Sequence, residues 1–310
     1  PLTADFVLDY LRDRPLDFEP GAHWSYTNSG FYLAGMVIER ASGKPWFEYL
    51  AEGVLSPLGL TGIRLCDDVS ERLAVGYELL DSGLSPAPLY LEAGVRGDGG
   101  LCATALDLAR FPELLETGAL LSSAGLATMH APTTLSTGVQ VDYGLGARLG
   151  RLQGRTVWGH TGGHAGTVAV VHRYPAEDVT IVVLTNTIRS DQDALVLLGE
   201  VAARVFSLDM GQPLAEPVEP SLLERYTGTY RGGRGGAHYE VTADSGRLMI
   251  SRVGSGTSTG FIYLGEDTLA MMDGQYPLDR YVFRVENGQA QAYSGYYNGL
   301  FGDFRQRIDP

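Results

Sequence analysis

Apolar residues recur every three to four positions in some stretches of the chain and every second position in others. The first pattern predicts helices in the front part, the second predicts strands towards the end. Residues 2–13 read as a helix: Phe6, Val7, Tyr10 and Leu11 share a face, Thr3 can cap it, and Asp5 sits in the first turn. "FEPGAHW" breaks that pattern with Pro20 and Gly21. Residues 29–41 give a strongly apolar helix closed by "SGKP", and a further helix over about 46–55 ends in "SPLGL". From about 61 to 95 the pattern is irregular and rich in Gly and Pro, as in a long loop region. Order resumes at "GGLCATALDLARF", where Thr104 and Asp107 have capping-box-like spacing ahead of an apolar face. Residues 142–148 and 155–159 read as short strands. Two β-branched runs, 165–173 and 179–185, flank "YPAED" and predict a hairpin, and 191–207 make an amphipathic helix.

"GQPLAEPVEP", residues 211–220, has three prolines and no apolar period, and is expected to link two domains. Beyond it "HYEVTA", "RLMIS", "YVFRV" and "QAYSGYY" alternate apolar and polar residues, with turns at Asp244–Gly246 and Asn287-Gly288. The expected fold is therefore α+β: helices packed on an antiparallel sheet over 1–210, then a small all-β antiparallel barrel or sandwich over 221–310. Tyr239, Tyr281 and Phe283 are expected to pack inward in that second unit.

Composition narrows the possible partners. A net charge of −14 and a pI near 4.8 argue against nucleic acid. No run of 18 or more apolar residues is present to span a membrane. Cys66 and Cys102 show no zinc or disulfide spacing and read as small buried residues. The chain opens at Pro1 directly into helical sequence, so no targeting segment can be read and the compartment stays open.

Two segments could carry chemistry. In "WSYTNSG", residues 24–30, Tyr26 can relay a proton beside a cation and the Asn28 amide can hold a substrate amide. A helix cap beside a core tyrosine explains the same residues. In "GHTGGHAG", residues 159–166, Thr161 can bind a carboxylate and the glycines let a substrate backbone approach a strand. A plain Gly-rich turn is the ordinary alternative. His160 and His164 as a metal pair fit poorly, because Gly162-Gly163 between them is poor helix and the zinc-protease Glu is missing.

Taken together the two segments resemble the serine β-lactamase and penicillin-recognising DD-peptidase superfamily, in its class C-like branch. The resemblance extends through "FEPGAHWSYTNSGFYLAGMVIERASGKPWFEYLAEGVLSPLGLTGI", "GDGGLCATALDLARF", "YGLGARLG" and "GHTGGHAGTVAVVHRYPAEDVTIVVLTN", about residues 1–207. The tail resembles, more loosely, the lipocalin-like barrel often appended to such proteins. The resemblance implies that Tyr26 shuttles a proton and Asn28 holds the acyl-side amide. It implies that His160 supplies hydrogen bonding and positive potential near Tyr26. Thr161, followed by Gly162, would contact a substrate carboxylate, and Gly163 would donate an oxyanion N–H. The His-Thr-Gly form looks more like peptidases, D-aminopeptidases and esterases than like β-lactamases. The substrate would be a small D-amino acid peptide or ester, or a β-lactam, with no cofactor and no metal.

One family element is not in the sequence. Ser-x-x-Lys cannot occur, because the single lysine, Lys44, has Ala41 three residues before it. No G-x-S-x-G elbow replaces it. The expectation is a serine hydrolase whose nucleophilic Ser and Lys lie on an N-terminal polypeptide outside these residues. Without that piece the chain is expected to be an incomplete folding unit and inactive. The rival readings are a non-catalytic ligand-binding homologue on the same scaffold and, among enzymes, a β-lactamase.

Overall fold

The computed structural model describes residues 3–67, 73–80, 82–87, 96–188, 192–210, 218–232, 236–272 and 278–309. Helix α1 (Ala4–Arg12) starts where the Thr3 hydroxyl accepts the Phe6 N–H at 3.2 Å. Helix α2 (Asn28–Ser42) is capped by Thr27 and stopped by Gly43, whose φ of 72° is the left-handed C-cap conformation glycine tolerates. Helix α3 (Trp46–Leu50) runs on into a π-turn over Ala51–Leu55. Helix α4 (Ala105–Glu116) takes its cap from Thr104, which accepts the Asp107 N–H at 3.1 Å, as its sequence spacing predicts. Short α5 (Ser123–Met129), long α6 (Gln192–Phe206) and short α7 (Pro220–Glu224) complete the helices.

Strands β1 (Arg64–Leu65), β2 (Tyr77–Leu80), β3 (Gly83–Pro86), β4 (Leu101–Cys102), β5 (Thr133–Thr134) and β6 (Gln140–Val141) form small peripheral pairs. The main sheet is antiparallel: β10 (Val179–Thr185), β9 (Thr167–Tyr174), β8 (Arg155–His164) and β7 (Arg148–Leu152), in that spatial order. Short β11 (Thr187–Ile188) leaves it to pair with β2. Alternation along β10 sends Ile181 and Val183 into a core with Leu198 and Ala202 of α6. The opposite face meets α4, where the Thr180 hydroxyl donates to Glu113 at 3.0 Å and Arg173 binds Glu116.

The tail closes on itself, as alternation in its sequence predicts. Strands β12 (Gly228–Gly232), β13 (Ala237–Asp244), β14 (Arg247–Arg252), β15 (Ser258–Gly265), β16 (Thr268–Met271), β17 (Arg280–Glu286), β18 (Gln289–Tyr297) and β19 (Leu300–Arg307) form an antiparallel barrel. It is closed because β19 pairs with both β18 and β12. Tyr226, Tyr230, Leu248, Phe261, Phe283 and Tyr293 fill the interior. The barrel is docked on the helical unit. Leu300 pairs with Gly150 of β7, and Phe301, Phe304 and Ala292 pack on Leu135, Val139, Val141 and Tyr143.

Three sequence readings need correction. The strand read over 142–148 lies further along: β7 begins at Arg148 and turns through Gln153-Gly154, both at positive φ (45° and 85°), into β8, which contains the strand read over 155–159. The irregular region 61–95 holds β1, β2 and β3. Cys66 and Cys102 are not separate buried thiols but a disulfide. Pairing of β1 with β4 brings their Cα atoms to 5.0 Å across 36 residues of sequence, a proximity that spacing alone does not reveal. Residues 211–217 of the expected linker lie outside the described residues.

Candidate active site

Tyr26 lies just before α2, in the turn that Thr27 caps by accepting the Ser29 N–H at 3.2 Å. The cap in "WSYTNSG" is supplied by Thr27, and Tyr26 is half-buried against the core that holds Tyr143 and Phe301. Its ring lies 5.8 Å from His160 and edge-on to Tyr143 at 6.2 Å. Two segments far apart in sequence thus meet. Asn28 is the first residue of α2 and is exposed; among the described contacts no hydrogen bond ties it to Tyr26 or His160.

His160 sits on β8 with both ring nitrogens engaged. Nδ1 lies 2.6 Å from its neighbour's carbonyl, Thr161 O, and Nε2 lies 3.1 Å from the Tyr143 hydroxyl. A carbonyl can only accept, so Nδ1 carries the proton and Nε2 accepts from Tyr143. Burial and the nearby Arg148 guanidinium lower the His160 pKa to about 4. The imidazole is neutral at pH 7, which corrects the expectation that it supplies positive potential. That potential comes from Arg148 on β7, whose guanidinium carbon lies 5.5 Å from the Tyr26 ring centre. Burial lowers the Arg148 pKa, yet a guanidinium stays protonated in proteins. Burial also pushes the Tyr143 hydroxyl up to about 12, so it remains a donor. Sequence reading missed Tyr143 and Arg148. Both stand in "DYGLGAR", a stretch read as a short strand and as part of the general resemblance, with no chemistry assigned to it.

The outer half of β8 has one open edge. Its pairing with β7 ends at Gly159, whereas pairing with β9 continues from His160 to His164. Thr161, Gly162 and Gly163 therefore present main-chain groups on their free side. A Cβ added at Gly159 would lie 1.9 Å from Val171 O, so the fold itself requires glycine there. At Gly162 and Gly163 the nearest atoms would be 4.0 and 3.9 Å away, and neither residue has positive φ. Nothing among the described residues requires glycine at those two positions; the missing side chains leave the strand open to a ligand's approach.

Beside Tyr26 and Tyr143 lies an apolar hollow of about 290 Å³, walled by Trp24 and by Gly30, Phe31 and Ala34 of α2. Helix α2 buries only Tyr32 and Gly35. Val37 is 66% exposed, and Phe31 and Ile38 are also exposed. Arg96 braces the other side of α2 through Glu39 and the Tyr32 hydroxyl, at 2.8 and 2.6 Å. No cluster of metal-ligating side chains occurs among the described residues. Nor is any described helix long and apolar enough to cross a membrane.

Comparison with known proteins identifies the family. The family described as Beta-lactamase matches residues 2–206. Penicillin-binding protein 4* of Bacillus subtilis (strain 168) is 27% identical over 277 residues, covering 80% of this chain and 60% of that protein. The D-aminopeptidase of Brucella suis biovar 1 (strain 1330) is 24% identical over 240 residues, 77% of this chain and 45% of that one. The chain thus spans 60% or less of the length of these relatives. Among solved structures, an octameric penicillin-binding protein homologue from Pyrococcus abyssi matches with TM-score 0.61 at 23% identity, over 99% of this chain and 71% of that one. The D-amino acid amidase from Ochrobactrum anthropi SV3 matches with TM-score 0.55 at 25% identity, over 66% and 64%. With the family match covering most of the α+β unit and the fold shared with these structures, the chain belongs to the Beta-lactamase family.

Proposed function

We propose that these residues form the larger part of a serine hydrolase of the penicillin-recognising class, in its class C-like branch. It cleaves an amide or ester of a small D-amino acid compound through an acyl-enzyme. The observation that carries the reading is the meeting of Tyr26, Tyr143 and His160 beside the open edge of β8. In the reaction, a serine Oγ attacks the substrate carbonyl carbon. Its proton passes through the Tyr26 hydroxyl to the leaving nitrogen or oxygen as that bond breaks, and water then releases the acyl group. Gly163 N–H faces the developing oxyanion, Thr161 holds a carboxylate, and Asn28 holds the acyl-side amide. Neutral His160 fixes Tyr143 rather than supplying charge.

The serine and its lysine come from a Ser-x-x-Lys polypeptide outside these 310 residues. Two surfaces support that part of the proposal. The apolar face of α2 around Phe31, Val37 and Ile38 stands beside the hollow without cover among the described residues. Strand β10 ends the main sheet and pairs only with β9 among the described residues. The division of the chain is then a hydrolase unit to about residue 210, a linker to 220 and a lipocalin-like barrel beyond. The missing Ser-x-x-Lys also favours a second reading, a ligand-binding homologue without turnover.

Hydrolysis of D- and L-amino acid p-nitroanilides separates the two readings when the chain is assayed together with its Ser-x-x-Lys polypeptide. The enzyme reading predicts turnover of the D-series and a loss of about 10²–10⁴-fold in kcat for Tyr26→Phe. Unchanged kcat in that variant removes Tyr26 from the chemistry. Binding without turnover leaves the non-catalytic reading.

A further inference from the structure

The barrel reaches the candidate site most directly at Arg148. Arg148 Nη1 donates to the carbonyl oxygens of Phe301 and Gly302 on β19, at 3.1 and 2.7 Å, while the same guanidinium lies 5.5 Å from the Tyr26 ring centre. The Phe301 ring stands edge-on to Trp24 at 5.3 Å and to Tyr143 at 6.5 Å. Trp24 and Tyr143 are themselves 5.3 Å apart, and both line the hollow. A second tie runs from the barrel's Tyr296 hydroxyl to Asp142 at 2.5 Å, and the Asp142 carbonyl accepts the Leu149 N–H at 3.0 Å. The turn carrying Tyr143 and the strand carrying Arg148 are therefore both pinned by β18 and β19.

The geometry points to Arg148 as a positioning residue: it is the site's permanent cation, held over Tyr26 by the barrel, which is thereby a working part of the active centre. Three features carry this. His160 is neutral and the single lysine, Lys44, is paired with Glu52 on the surface, so neither provides charge at Tyr26. The carbonyls that hold Arg148 come from main chain, so they fix its direction without cancelling its charge. Glycine at 302 lets the strand pass against the Tyr297 ring, since a Cβ there would lie 2.1 Å from that ring and one of the two would have to shift. The groups facing Arg148 are Tyr26 and Tyr143 from the helical unit and Tyr297 and Asp303 from the barrel. Of these Asp303 is the carboxylate, and it is shared with Arg305.

The inference rests on the proposed role of Tyr26 for its catalytic meaning, but it is tested without turnover. NMR titration of the His160 ring in the whole chain reads the field of Arg148 directly. In Arg148→Met the pKa of His160 rises by about one unit, as expected when the Arg148 charge that holds it down is removed. Arg148→Lys retains most of the wild-type value. Phe301→Ala, and Phe301→Leu should the alanine variant not fold, moves it in the same direction by a smaller amount. A His160 titration unchanged in Arg148→Met overturns the assignment of Arg148. Equal shifts in the Met and Lys variants would show packing rather than charge, and overturn it too. An unmoved titration in the folded Phe301 variant removes the barrel from the site. None of these outcomes depends on acylation, so they are independent of whether the hydrolase reading holds.

Discussion

His160 shows how far a side chain's role depends on its surroundings. A histidine beside a tyrosine suggests a cation; burial and Arg148 make it a neutral hinge between Thr161 O and the Tyr143 hydroxyl. Buried His172 is likewise lowered, to about 3, by burial. Both folded-state values lie below the ordinary 6.5 of a free histidine. Between pH 6.5 and 4 the unfolded chain therefore binds two protons that the native state refuses, and stability falls as pH falls. Each histidine adds up to about 1.4 kcal/mol per pH unit to that slope. Urea unfolding at pH 7, 6, 5 and 4 checks it, and His172→Gln should flatten the decline. A stability independent of pH over this range would mean that the two rings are not held neutral.

At the scale of elements, β8 divides into a structural half and an open half. Gly159→Ala forces a Cβ into Val171 O and should cost at least about 2–3 kcal/mol in chemical denaturation. Gly162→Ala has room, so stability should stay within about 0.5 kcal/mol, while kcat/KM falls at least about tenfold because the substrate's path along the strand is filled. Equal effects of the two changes on stability would contradict the division. The Cys66–Cys102 link closes a 36-residue stretch leading to the Arg96 brace on α2. Replacing both cysteines by alanine should lower stability by about 3–4 kcal/mol on the chain-entropy estimate. Melting with and without reductant reads this directly. Periodicity exposed α2, α4, the β9–β10 hairpin and the closing barrel, because each repeats one pattern over many residues. It did not expose the disulfide, the β7–β8 turn or the Tyr143–Arg148 pair. Those depend on contacts between distant segments, which alternation along one segment does not encode.

The whole molecule is an α+β unit of the Beta-lactamase family fused edge to edge with a closed barrel, the two meeting at β19 and a common aromatic seam. Near that seam stand a tyrosine, a cation, a neutral imidazole and a strand edge, the groups on which the proposed function rests. On the proposed reading the nucleophile comes from a Ser-x-x-Lys polypeptide, to which the exposed Phe31, Val37 and Ile38 offer an apolar surface. The most direct measurement is denaturing intact-mass analysis of the purified protein after treatment with a fluorophosphonate and, separately, a penicillin. The predicted result is a covalent adduct on an additional polypeptide that carries Ser-x-x-Lys, with these 310 residues unmodified beside it. A single species of 33.4 kDa without adduct would contradict the hydrolase reading for this chain.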